Sequence, residues 1–346
     1  MVGGDVVVEA FFMISGFYMV LVLNEKYLPG QNSCRLFLSN RLLRLFSIYW
    51  LLLLATVGLS AVFLWRYNDP FAFAAYQDVN WQISARTWFV LAFTNLFVVG
   101  QDLLNFAGFD RGTGQLYFTT HFLDSLPRVH KFLPEQQAWS LSIKICFYVI
   151  APFLVRRKLP VLLALMAASL AIRLSLASAG LYNDPFSYRF FPSELVFFLG
   201  GAVAYRNYLS YRSMDLPRGY LQAMLGGMVL FTLTYAYLPG GLAKQLLYYG
   251  CFFGTLSFVF LLTKRSRWDA KVGELSYPIY MVHFIILFLV PRLLSKAHLP
   301  VESWEIPAEV VSVLLAAAFL VKAVVKPIER IRQRRVKEPQ RQPAGR

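Results

Sequence analysis

One histidine falls inside an apolar run: His283, which closes the segment Gly273-Glu274-Leu275-Ser276-Tyr277-Pro278-Ile279-Tyr280-Met281-Val282-His283. Tyr280 and His283 stand at i and i+3, with Ser276 one turn earlier, so a helix places all three on one face. An imidazole in hydrocarbon is costly unless it pairs, and it titrates near neutrality, so the pattern points to general-base work or to a polar network. A second set opens another apolar run, Trp139-Ser140-Leu141-Ser142-Ile143-Lys144-Ile145-Cys146-Phe147-Tyr148, followed by Pro152. Lys144 lies about two turns into it, where an ammonium facing lipid costs on the order of 3 kcal/mol; it should face a polar cavity or snorkel outward.

Two further spacings carry meaning. Arg41-Leu42-Leu43-Arg44 puts two guanidiniums on one helix face, a geometry that either grips phosphates bidentately or anchors lipid headgroups. Phe11-Phe12-Met13-Ile14-Ser15-Gly16-Phe17 surrounds two small residues with aromatics, which reads as close helix packing. His121, His130 and His298 fall in connecting segments and are expected to be solvated. Their spacing matches no metal site, and Cys34, Cys146 and Cys251 suggest neither a disulfide framework nor a metal.

The elements that must position these residues follow from composition. At 57% hydrophobic and 16% aromatic, with mean hydropathy +0.50, the 346-residue chain is too apolar for a soluble domain. Strand-period alternation is absent, so the expected fold is all-α, a polytopic membrane helix bundle. Spans are predicted at 6–23, 45–65, 138–155, 159–179, 191–205, 219–238, 245–263, 273–291 and 307–325, with a short re-entrant or interfacial helix at 87–99. These form a single domain over 1–327, and 328–346 reads as a disordered basic tail. Met1 to Glu9 carries two acids and no base, unlike a signal peptide.

In a soluble protein, 34 Lys and Arg against 19 Asp and Glu would suggest nucleic acid; here the surplus sets topology, and no nucleic-acid partner is expected. Alternate connections hold 22 of the bases, the others hold nine bases and nine acids, and Lys144, Arg173 and Lys322 fall within spans. The base-rich side is cytoplasmic, which places the C-terminus inside and the N-terminus outside, in keeping with Asp5 and Glu9. An uncleaved first helix more often starts in the cytoplasm, so the parity suggests an absent upstream helix.

FFMISGF, RLLR, WSLSIKICFY with its following Pro, and GELSYPIYMVH occur in an order that resembles the membrane-bound acyltransferase-3 family, from Gly3 to about Arg335. The resemblance implies transfer of an acetyl or other short acyl group from cytoplasmic acyl-coenzyme A to a hydroxyl of a cell-surface polysaccharide, a lipid-linked sugar or a related acceptor. It implies a bacterial inner-membrane location among membrane lipids, polysaccharide-biosynthesis partners, and no metal. Arg41 and Arg44 become the coenzyme's phosphate ligands. His283 and Ser15 become catalytic candidates, in a cavity marked by Phe12, Gly16, Phe17, Trp139, Ser140, Lys144, Tyr148, Ser276, Tyr277 and Tyr280. The family's proposed base, a His on the helix before FFxxSGF, precedes this chain; Lys144 stands where the family usually has Glu, and Lys326 replaces an acid before the final Pro. These departures motivate a second reading, a catalytically inactive member acting as a transporter or partner subunit.

Overall fold

Backbone N–H and C=O groups in hydrocarbon must pair within the chain, and the apolar runs do so as helices. The computed structural model describes residues 3–27, 34–182, 184–298 and 300–337. Its helices are α1 (Gly4–Val22, continued by a π turn, Leu23–Tyr27), α2 (Cys34–Tyr67), α3 (Ala74–Asp78), α4 (Ala85–Phe97), α5 (Trp139–Leu154), α6 (Leu159–Ser178), α7 (Phe191–Tyr211), α8 (Arg218–Thr234), α9 (Gly241–Thr263), α10 (Arg267–Lys296), α11 (Val301–Leu320, continued by a π turn, Val321–Val325) and α12 (Lys326–Lys337). Among the described residues, α1, α2, α5, α6, α9, α10 and α11 are long and apolar enough to cross a membrane. This is an integral membrane protein built as an all-α helix bundle.

Helices stand at all nine expected positions, but two fall short of the length and apolarity of a span. Helix α8 has 17 residues, a rise of about 25 Å. Helix α7 has 21 but carries Ser193, Glu194, Arg206 and Asn207. Its reason is burial: every residue from Phe197 to Tyr205 is buried, so α7 meets protein on all sides and needs no lipid-compatible surface. The short α4 has 13 residues, about 20 Å, too short to span, and Ser84 caps it by accepting the Thr87 N–H.

The chain divides into two units, residues 1–38 with 143–270 and residues 39–142 with 271–346. In the first, α7 packs on α1, α6 and α9. A Cβ built on Gly16 would overlap the Phe198 carbonyl, and one on Gly201 would overlap the Met13 carbonyl and the Phe17 nitrogen. Only glycine admits this approach of α1 to α7, which accounts for Gly16 in the FFMISGF motif. The aromatics close the crossing: Phe198 lies between the rings of Phe12 and Phe147, at centroid distances of 4.7 and 4.4 Å, and Phe17 meets Tyr205 and Phe260 edge-on.

The same unit buries an ionic cluster. Arg173 donates to Glu9 at 2.5 Å and to Glu194 at 3.0 Å, and both carboxylates are fully buried. Glu9, expected among the acids of an exposed N-terminus, is instead an internal partner of α6, because the guanidinium that α6 brings into the bundle needs a counter-charge. The buried Lys144 lies over the Phe11 ring, its ammonium 3.5 Å from the centroid. Lys322 lies in the π turn Val321–Val325 and is exposed.

The second unit contains the connection from Asn68 to Ala138, which has an apolar cluster of its own. Tyr76, Leu91, Leu104, Phe109, Val129 and Phe132 share one apolar cluster, and the Tyr76 hydroxyl donates to the Phe132 carbonyl at 2.9 Å. An antiparallel hairpin of β1 (Ala107–Asp110) and β2 (Gln115–Phe118) runs in register from Ala107 opposite Phe118 to Asp110 opposite Gln115. Four-residue strands are too short to show alternation, so none was expected. Arg292 of α10 donates to Asp69 at 2.8 Å. Burial alone would raise the Asp69 pKa, but the Arg292 and Phe71 hydrogen bonds and the Lys296 charge outweigh it and lower it. His130, expected in water, is half-buried against the Phe122 ring, whereas His121 and His298 are exposed.

The stretch read as a disordered tail is helical over 328–337; residues 338–346 lie outside the described residues. Glu329 bonds Arg332 and Gln333 at i+3 and i+4, and Arg335 donates to Asn40 and Ser39 at 3.0 Å each, so charge pairing and docking on α2 replace the missing hydrophobicity. The α1–α7 crossing yields a stability test. Replacing Gly201 with Leu should lower the unfolding midpoint in detergent by the equivalent of about 3 kcal/mol or more, beyond ordinary overpacking. Gly200→Ala, whose new methyl would meet only Met13 and Phe253 side-chain atoms at 3.7 Å or beyond, should leave the midpoint nearly unchanged.

Candidate functional site

Within the second unit, α2, α10 and α12 line a narrow cleft. Arg44 and Ser47 come from α2, Glu274 and Tyr277 from α10, and Ile328 and Arg332 from α12. Its open volume is about 10 Å³, roughly one water. Arg44 is half-buried, and Arg332 is buried with its guanidinium bonded to Glu329. Arg41, one turn before Arg44, is buried and is not among the lining residues. The Tyr277 hydroxyl donates to the Leu45 carbonyl at 2.8 Å, fixing α10 against α2 at the cleft.

About 9 Å farther along α10, by helical rise from Tyr277, lies His283. Its Nδ1 is 2.6 Å from the Tyr280 carbonyl. A carbonyl only accepts, so Nδ1 carries the hydrogen in the neutral ring, and Nε2 is left as the proton acceptor. Tyr280 places its hydroxyl 2.6 Å from Ser140 Oγ and donates to the Gln137 carbonyl at 2.8 Å. The Gln137 amide donates to Glu135 Oε2 at 2.7 Å and to the Met281 carbonyl at 2.8 Å, and Thr56 donates to Glu135 Oε1 at 2.5 Å. A continuous polar chain therefore runs from Thr56 through Glu135 and Gln137 to Tyr280 and Ser140, beside the imidazole. Burial pushes the Glu135 carboxyl up to about 7, against the lowering effect of its Thr56 and Gln137 hydrogen bonds.

Ser142, the second serine of WSLS, donates to Asp102 at 2.6 Å and accepts from the Gly100 N–H at 2.9 Å. Burial raises the Asp102 pKa against the Ser142 hydrogen bond. The two serines of the motif thus face different partners, one the α10 chain and the other the segment after α4.

The expected site residues separate. Arg44, Ser140, Tyr277, Tyr280 and His283 share the second unit with the cleft and the polar chain, and Trp139 is buried beside Ser140 in sequence. Ser276, expected on the His283 face, is exposed and donates to the Val272 carbonyl of its own helix. Phe12, Ser15, Gly16, Phe17, Lys144 and Tyr148 belong to the first unit. Phe12, Gly16 and Phe17 make the helix crossing, Tyr148 is buried, and the Ser15 hydroxyl turns back to the Phe11 carbonyl at 2.8 Å. Sequence reasoning missed Arg332, dismissed with the tail, Glu135 and Gln137, whose signal was their polarity next to an apolar span, and Thr56, a lone hydroxyl within one. No group of three or more His, Cys, Asp or Glu residues able to hold a metal occurs among the described residues.

A helix bundle that buries a chain of hydroxyl, carboxyl and amide groups, with an imidazole one turn beyond Tyr280 on α10, defines a polytopic membrane protein. The sequence profile of one family, described as an acyltransferase domain, matches residues 2–325. The chain belongs to the membrane-bound acyltransferase-3 family and is an acyltransferase by family. No curated protein and no solved structure matches it.

Glu135 makes stability depend on pH with a definite sign. Its folded-state value is raised from 4.5 to about 7, so the folded protein holds this proton more tightly than the unfolded chain does. The contribution is full below 4.5 and is lost as pH rises through about 7. The unfolding midpoint should therefore fall across this window, by the equivalent of up to about 3 kcal/mol. In Glu135→Gln that component of the slope should vanish.

Proposed function

We propose that the protein transfers an acyl group, acetyl first among them, from cytoplasmic acyl-coenzyme A to a hydroxyl of a glycan or lipid-linked sugar. The observation that carries this reading is the convergence of Arg44 and Arg332 on one cleft, since a coenzyme rich in phosphate calls for paired guanidiniums. The abundance of bases in the connections on that side agrees with a cytoplasmic donor.

In the reaction, Nε2 of His283 takes the acceptor hydroxyl proton as the oxygen attacks the thioester carbonyl. The C–O bond forms, the C–S bond breaks, and the proton passes to the departing thiolate. Tyr280 acts as a positioning residue: its carbonyl holds the imidazole tautomer and its hydroxyl ties α10 to Ser140. The pantetheine arm, longer than the rise between Tyr277 and His283, spans the distance from cleft to imidazole. The place of Lys144, buried on Phe11 where the family usually has Glu, favours a second reading in which the chain keeps the donor cleft but acts as a non-catalytic subunit.

Purified protein titrated with labelled acetyl-coenzyme A separates the roles. Arg44→Ala and Arg332→Ala should each weaken donor binding about tenfold or more, as expected for losing a charge-assisted hydrogen bond. His283→Ala should bind donor normally yet release no thiol with glycan in membranes. Unchanged binding in both arginine variants would remove the donor site. Normal binding with no turnover by the wild type would leave the non-catalytic subunit.

A further inference from the structure

The β1–β2 hairpin bounds a second, much larger opening that acyl transfer at His283 does not use. It is an open cleft of about 710 Å³, a volume typical of small-ligand sites, lined by Asp110, Arg111, Thr113, Gln115, Tyr117 and Leu126 among others. Its groups are held in place. Tyr117 sits opposite Gly108 in the register, and a Cβ on Gly108 would overlap the Tyr117 ring, so glycine there lets the ring lie across the strand. The ring is 49% exposed. Asp110 accepts from the Gly112 N–H at 2.9 Å and the Thr113 hydroxyl at 2.6 Å, which fixes its carboxylate at the turn. Arg111 donates through Nε to the Leu126 carbonyl at 2.8 Å, which sets the guanidinium plane at the rim and brings the 70% exposed Leu126 beside it.

An aromatic plane next to a carboxylate, a guanidinium and an amide matches the surface of a sugar ring. The C–H face of the ring packs on the tyrosine, and paired hydroxyls bond the planar polar groups bidentately. Asp110 beside Arg111 leaves the cleft near neutral, which disfavours a phosphate headgroup or a polyanion; Phe109, the other aromatic in the lining, is buried in the apolar cluster, so Tyr117 is the ring open to a ligand. The distribution of bases puts this connection on the side opposite the donor cleft. We propose that the hairpin cleft is a subsite for neutral sugar units of the acceptor glycan, stacked on Tyr117 and bonded by Asp110, Arg111 and Gln115. The inference rests on the acyl-acceptor reading above for its biological sense, but not for its chemistry.

The test uses the full chain in nanodiscs on an array of neutral and anionic oligosaccharides, with labelled acetyl-coenzyme A binding measured in parallel. Wild type should bind neutral members, Tyr117→Ala should lose at least tenfold, and Tyr117→Phe, which keeps the ring, should retain binding; donor affinity should be equal in all three. No binding to neutral members, or binding that Tyr117→Ala does not change, overturns the subsite. A wild type that binds sugars through Tyr117 yet transfers no acyl group upholds the subsite and refutes the enzymatic reading alone.

Discussion

The Gln137 side chain answers the constraint that governs the second unit: at the edge of hydrocarbon, a polar group has no water to replace a missing partner. Its amide joins the Glu135 carboxyl to the Met281 carbonyl, and the backbone carbonyl of the same residue accepts from Tyr280, so one residue ties the end of the long connection to α10. Glu135 sits with 1% exposure because Thr56 and Gln137 supply donors to both oxygens. Each member of the chain is affordable only with the next in place, and that interdependence holds α2, the start of α5 and α10 in a single arrangement.

The first unit solves a different problem, that of packing helices without a hydrophobic force between them. Association there depends on close contact and on polar pairs. Gly16 and Gly201 bring two backbones together, stacked aromatics fill the remaining space, and the Glu9–Arg173–Glu194 cluster links α1, α6 and α7 through charge. Breaking a buried pair of this kind leaves an uncompensated ion, at a cost of about 3–5 kcal/mol. The cluster therefore acts against any slip of the three helices.

His283 and the cleft are held in place in different ways. His283 has its tautomer dictated by a backbone carbonyl of its own helix, which needs no distant residue to hold it. The cleft instead draws on three helices far apart in sequence, with Arg332 buried against Glu329 and Arg44 half-buried.

Much of this was legible in the residues. Span positions follow from run length because hydrocarbon thickness fixes the number of residues a helix needs, and the order of four motifs identified the family. The small-residue packing at Gly16 and the pairing of Tyr280 with His283 on one helix were readable because both are local, set by a 3.6-residue period. What the sequence could not decide was which polar groups meet across long separations. Glu9 looked like a surface acid until α6 supplied Arg173, 164 residues away. Arg332 looked like part of a solvated tail until α12 docked through Arg335 on Ser39 and Asn40. Helix α7 looked like an ordinary span until its neighbours enclosed it. In each case the partner, not the residue, sets the outcome, because the stability of a buried charge or glycine depends on the atom facing it, and tertiary packing alone chooses that atom.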